Sequence, residues 1–270
     1  MEYSLTEENE LEMLNSDEYE IAKPFFDGFN TYASILHSIL EKRSVGTIFT
    51  DDKSNPSFVL VCSSSVIANL NAPVYLGGKL DQDSLKKVIA YLKSLPKVSL
   101  VAFSDWEFRL SFEEAGFKPI DRLQLRRPFG FFNVDTLKKS LSHQYLVDKV
   151  NSENFSQCNW YSYLLSLYGD SDRFFNNGMG FCLIDQGKVA AESYGFIAKD
   201  TAEIGVITDK NYRNQNLGTI VSAFMLDYCY KNDIEPYWNC DISNPASAIV
   251  AKKLGFEENC RYLFLRWNVS

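Results

Sequence analysis

Histidine is almost missing from this chain, with only His37 and His143 in 270 residues. A zinc site therefore finds too few ligands, so no metal is expected, and nothing in the spacing supports a Cys/His nucleophilic pair. The six cysteines, at 62, 158, 182, 229, 240 and 260, show no paired spacing and sit among apolar or β-forming neighbours. That pattern reads as buried reduced thiols of a cytoplasmic protein rather than a disulfide framework. Apolar runs near 18 residues are also lacking, which argues against a membrane span. The opening Met1-Glu2-Tyr3-Ser4 has neither the basic start nor the apolar core of a signal peptide. A basic excess is missing too. The net charge is −8, and 1–20 alone hold eight acids and no base, which leaves 27 acids against 27 bases in 21–270. A neutral body has no footprint for nucleic acid. The acidic segment suits either attraction of a cationic substrate or a solvated terminal element.

What is present is a repeat. Ala115-Gly116-Phe117-Lys118-Pro119-Ile120-Asp121-Arg122 lies over Leu254-Gly255-Phe256-Glu257-Glu258-Asn259-Cys260-Arg261 at an offset of 139, with Gly, Phe and Arg coinciding. Strands at 98–103 and 236–240, helices at 80–95 and 217–230, and hairpins at 46–50/58–66 and 181–184/189–197 correspond in order. Amphipathic helices open the halves at 24–41 and 154–168. Strands joined through helices imply a mixed α/β sheet in each half. The expected division is an acidic segment 1–20, one domain at 21–130 and a second at 145–270, with the joint in 128–145.

The chemistry gathers in 202–219. An apolar strand (203–208) enters a polar turn that opens directly into a helix. Such a helix start leaves backbone N–H groups without intrahelical partners, and with the dipole they form a site for a pyrophosphate. Gly218 lets a phosphate approach the backbone, and Lys210 and Arg213 add charge. The same segment also suits an ordinary strand–turn–helix connection. In the first half the equivalent stretch is Gly77-Gly78-Lys79-Leu80-Asp81-Gln82-Asp83. Its two carboxylates would repel a pyrophosphate, which marks that half as a degenerate copy.

Tyr212-Arg213-Asn214-Gln215-Asn216-Leu217-Gly218 resembles the Q/R-x-x-G-x-G/A acetyl-CoA motif of the GNAT superfamily of N-acetyltransferases. Asn216 stands where the first glycine usually is, and asparagine tolerates left-handed backbone better than other non-glycine residues. The resemblance continues through Trp238, Cys240 and the Asn244-Pro245-Ala246-Ser247 helix start to Leu254-Gly255-Phe256. It is closest to a subfamily with an added N-terminal half. It implies tandem GNAT-like mixed sheets flanked by helices, with acetyl-CoA as co-substrate. It also implies cofactor contacts at Val206, Thr208, Arg213, Asn214, Gln215, Asn216, Leu217, Gly218, Thr219, Asn244 and Ser247. Asn244 has an independent role as helix cap, with Pro245 at the first helical position.

The implied reaction moves an acetyl group from acetyl-CoA to a primary amine of a small molecule. Catalytic roles fall to Val206, whose backbone N–H would meet the oxyanion, and to Glu203 as base, with Glu192 its nearest competitor. The tyrosine that usually protonates the leaving thiolate is replaced by Ala251. Tyr237, Tyr212 or water are the substitutes. Trp160, Tyr161 and Tyr163, with Phe174 and Phe175 in the loop before the hairpin, serve either as acceptor pocket or as core. The alternatives are an acyl-CoA-binding sensor without turnover and a protein N-acetyltransferase.

Overall fold

The computed structural model describes residues 11–27, 33–67, 73–102, 106–128 and 135–268. Residues 1–10 of the acidic segment, Phe103 of the 98–103 strand and 129–134 of the joint lie outside them. The elements of the first half are β1 (Glu12–Met13), a 3-10 segment (Ser16–Phe26), α1 (Ser34–Leu40), β2 (Gly46–Thr50), β3 (Phe58–Ser63), α2 (Ser64–Ile67), β4 (Pro73–Gly78), α3 (Gln82–Ser94), β5 (Val98–Ala102), α4 (Arg109–Glu114) and β6 (Lys118–Arg126). There follow α5 (Asp135–Ser140), β7 (Tyr145–Lys149), α6 (Tyr161–Tyr168), α7 (Ser171–Asn177), β8 (Met179–Asp185), β9 (Lys188–Ala198) and β10 (Thr201–Thr208). The last four are α8 (Leu217–Lys231), β11 (Glu235–Asp241), α9 (Pro245–Lys253) and β12 (Glu257–Trp267).

These elements form two compact units. One comprises Met1–Asn30, Val45–Ile120 and Tyr262–Ser270, and the other Thr31–Ser44 and Asp121–Arg261. The first has strand order β1-β2-β3-β4-β5-β12, antiparallel except for the parallel pair β4/β5. The second has β7-β8-β9-β10-β11-β6, antiparallel except for the parallel pair β10/β11. The same plan is written twice. Each unit takes its closing strand from the other half of the sequence: Leu263–Trp267 pair with β5, and Arg122–Arg126 pair with β11. The fold is a tandem of mixed α/β sheets.

In the second unit β9 is buried at every position but its first. α8 covers the sheet with Ile220, Val221, Ala223, Met225 and Leu226, each at most 2% exposed. Their i, i+3, i+4 spacing makes one wide apolar stripe. Burying each large aliphatic side chain contributes roughly 1.5–3 kcal/mol. The β8–β9 hairpin closes through Gln186 and Gly187 at φ 47° and 81°, the left-handed pair that a two-residue turn demands.

Four local expectations are corrected. The run at 24–41 is not one helix: a 3-10 segment ends at Phe26 and α1 begins at Ser34. Pro24 lacks an N–H, and Asp27 already has extended backbone (φ −68°, ψ 134°); residues 28–32 of the run lie outside the described ones. The strand at 58–66 stops at Ser63, where a serine run turns the chain and the Ser63 hydroxyl accepts from the Ser65 amide (3.3 Å). The helix at 154–168 is a 3-10 turn (Phe155–Gln157) followed by α6. Phe174 and Phe175 lie on α7 rather than in a loop; Asp170 caps that helix by accepting from the Arg173 amide (2.7 Å). Among the described residues no helix is long and apolar enough to cross a membrane.

Candidate active site

β10 is paired along its whole length with β9, from Thr201↔Ala198 to Thr208↔Ala191. On its other side it pairs with β11 only over Thr201↔Glu235, Ala202↔Pro236 and Glu203↔Tyr237. Beyond Glu203 the two parallel strands part, and Val206 and Thr208 lie in the part of β10 that has left β11. A parallel pair that opens in this way exposes backbone polar groups along one strand edge, which an extended ligand can pair with.

α8 starts above this stretch. A Cβ added to Gly218 would lie 3.0 Å from Thr208 Oγ1 and 3.7 Å from Val206 Cγ2, so the glycine is what lets the helix start sit against the strand. The first intrahelical bond runs from the Ile220 amide to the Asn216 carbonyl (3.1 Å), so the amides of Leu217, Gly218 and Thr219 precede it. Asn216, the N-cap, has φ 61° and ψ 10°, left-handed as its place in the motif requires, and Asn214 has φ 63°. The first turn of α8 carries no acid. Leu217 and Thr219 are buried at 3% and 2% and anchor the helix start in the core, whereas Gly218 between them is half-buried. Arg213 and Asn214 are exposed. Gln215 Oε1 accepts from the Tyr145 hydroxyl (2.7 Å), and Asn216 Oδ1 accepts from Lys253 Nζ (3.1 Å).

The equivalent helix start of the first unit is filled from within. Asp81 is the N-cap of α3 and accepts from the Ser84 amide at 2.7 Å; Asp83 follows in the first turn. That amide bond holds the Asp81 carboxyl below its ordinary range. A carboxylate already stands where an anion would sit.

On α9, Asn244 Oδ1 accepts from the Ser247 amide (3.3 Å), and Pro245 occupies the first turn. The Ser247 hydroxyl accepts from Trp238 Nε1 (2.9 Å). Ala251 is 0% exposed, in the cluster with Trp238, Leu254 and Phe256. A tyrosine has no room there, which gives the missing acid a packing reason.

Glu203 marks the point of divergence. Partly buried, it is met by the Tyr237 hydroxyl (3.4 Å from Oε2) and by Asn239 and Arg122. Burial raises its pKa, against the opposing influence of Arg122, Asn239 and Tyr237. Arg122, on β6, is itself ion-paired with Asp241. Gln124 Nε2 donates to Asn239 Oδ1 (3.1 Å). Glu192, the competing carboxylate, is fully buried and accepts from the backbone amides of Asn159 (2.9 Å) and Trp160 (2.8 Å). Burial raises its pKa while those amides oppose the rise. Its oxygens are spent on the entry to α6.

The aromatic set divides. Trp160 lies against Gly205, where a Cβ would come within 2.5 Å of its ring, and Tyr163 meets Phe196 edge-on. Both belong to the face that carries Glu203. Phe174 is 2% exposed, stacked on Phe155 at 4.9 Å, and is core. Tyr161 and Phe175 also pack on Phe155. A hydrogen bond to Asp185 raises the pKa of the Tyr212 phenol. Sequence reasoning missed Arg122, Gln124 and Ser34, because they come from β6 and α1, far away in the chain. Among the described residues no group of three or more His, Cys, Asp or Glu is arranged to hold a metal.

Comparison with known proteins meets this geometry. The chain is 26% identical over 266 residues to the uncharacterized N-acetyltransferase YdfB of Bacillus subtilis (strain 168), covering 93% of this chain and 97% of the relative. A GCN5-related N-acetyltransferase-like protein from Streptococcus suis superposes with TM-score 0.73 at 21% identity, over 92% of this chain and 98% of its own. A tandem GNAT protein from the clavulanic acid biosynthesis pathway superposes with TM-score 0.61 at 11% identity, over 96% and 98%. The model of the GNAT acetyltransferase family matches residues 23–265, both copies together. With strands parting beneath an open helix start and a family match across both units, the chain belongs to the GNAT acetyltransferases.

Proposed function

We propose that this chain transfers an acetyl group from acetyl-CoA to a primary amine of a small molecule, and that it works in the cytoplasm. The observation that carries the reading is the contrast between two equivalent helix starts: α8 opens over Val206 and Thr208 with a glycine and no acid, whereas α3 is filled by Asp81. Backbone amides at 217–219, with Arg213, suit the pyrophosphate. The free edge of β10 at Val206 and Thr208, with Asn244 and Ser247 of α9, suits the pantetheine arm.

Glu203 takes one proton from the bound substrate ammonium through a water. The freed amine nitrogen bonds to the thioester carbonyl carbon, and the backbone N–H of Val206 meets the oxygen that gains charge. Collapse of that centre breaks the carbon–sulfur bond, and the second proton of the now positively charged nitrogen passes to the departing thiolate, a tolerable leaving group near neutral pH, so that amide and free thiol are released. The raised pKa of Glu203 brings it closer to the working range of a base. All six cysteines are free thiols, in keeping with a reducing compartment.

The buried Ala251 motivates a second reading, a sensor that binds acyl-CoA without turnover. Thiol release from acetyl-CoA, followed across a panel of amino acids, amino sugars, polyamines and aralkylamines, separates the two. Amine-dependent release supports the transferase. Tight CoA binding with no release for any amine supports the sensor.

A further inference from the structure

We infer that Tyr237 is a positioning residue for Glu203, and that helix α1, from the opposite end of the sequence, fixes the Tyr237 hydroxyl for that task. The inference rests on the reading of Glu203 as the base. Tyr237 is 0% exposed and lies directly across the last parallel pair from Glu203. Its hydroxyl accepts from the Ser34 amide at 2.6 Å. A backbone N–H can only donate, so the lone pair facing α1 is occupied and the hydroxyl proton is directed to Glu203 Oε2, 3.4 Å away. That distance is longer than the usual O–H donor range, and shortening on substrate binding would strengthen the bond.

α1 is itself locked. Thr201 Oγ1 donates to the Ala198 carbonyl (3.1 Å), so the Ser34 hydroxyl is the donor in its contact with Thr201 Oγ1 (3.2 Å). Ile35, Leu36, Ile39 and Leu40 of the same helix are buried, at 4% exposure or less. The first turn of α1 is thus pinned to β10 and β11 beside Glu203, which gives a segment from the first half of the sequence a part in the reaction.

The groups facing Glu203 are Arg122 from β6, Tyr237 and Asn239 from β11, and Tyr163 from α6. Arg122, Asn239 and Tyr237 favour the carboxylate, and burial favours the neutral acid. Loss of the Tyr237 hydroxyl therefore tips Glu203 toward the acid and takes the base away at pH values where it is needed.

The test is a carbon-13 titration of the intact chain labelled at glutamate Cδ, with the Glu203 signal assigned by its loss in Glu203→Gln. In Tyr237→Phe the Glu203 midpoint should move to higher pH. Kcat should fall roughly five- to tenfold on the acidic side and meet the wild-type value on the alkaline side. Since Tyr237→Phe strands the Ser34 amide and can lower stability, site-specific 3-fluorotyrosine at 237 supplies an isosteric second variant. Its stronger donor should move the midpoint to lower pH. An unmoved midpoint in either folded variant overturns the inference. Undiminished kcat in Glu203→Gln would instead remove Glu203 as base and leave the midpoint shifts standing, so the two failures are distinguishable.

Discussion

Glu203 and Glu192 are both acids in a strand of one sheet, and their surroundings assign them different work. Glu192 spends its oxygens on two amides that open α6, whereas Glu203 meets the side chains of Tyr237, Asn239 and Arg122. Glu203→Gln should lower kcat by roughly 10²–10⁴-fold with little change in CoA affinity, and the acidic limb of the pH–rate profile should vanish. The same substitution has a stability signature. The folded state holds the Glu203 proton more tightly than the unfolded chain, so wild-type stability falls as pH rises from the ordinary carboxylate range through the raised value. Glutamine lacks that charge, so the gain in Tm over wild type should be larger at pH 8 than at pH 4. Glu192→Ala should behave oppositely. Two buried amides lose their acceptor at a cost of about 3 kcal/mol, read by denaturant unfolding, with little change in kcat of the folded fraction. Sequence alone offered both acids as bases; strand alternation fixes a face, but the partners that distinguish them come from residues 122, 159 and 160, which no local pattern connects.

The elements that make the site were the legible ones. Apolar strand, polar turn and amphipathic helix at 201–231 follow from periodicity, and the left-handed Asn216 follows from its place in the motif. Asn244 was legible as a cap for the same reason: Asn-Pro before an apolar run is a helix start. Illegible were the breaks, where serine hydroxyls end β3 early and a proline-bearing stretch becomes a 3-10 segment. Local hydrogen-bond competition of that kind leaves hydrophobic spacing almost unchanged. At Asn244 the two roles separate by substitution. Asn244→Ala should cost about 1 kcal/mol of stability and also weaken CoA binding, whereas Asn244→Asp should keep the cap. CoA affinity unchanged in both variants, measured by calorimetry, would reduce Asn244 to a cap alone.

For the molecule as a whole, the repeat at offset 139 exposed the tandem plan, but not which strand closes which unit. β6 and β12 follow matching Gly-Phe turns and carry similar patterns, so either would satisfy the apolar face of β5 or β11. Polar pairing makes the choice visible only in three dimensions: Arg122 meets Asp241, and Gln124 meets Asn239. The duplication also frames the central claim, that one copy binds acetyl-CoA and the other has given up its anion site to Asp81. Calorimetric titration of the intact chain with CoA tests this most directly. The account predicts one site per chain, abolished by Gly218→Glu, which pushes a carboxylate into the start of α8. Two equal sites per chain, or binding that survives Gly218→Glu, would contradict it.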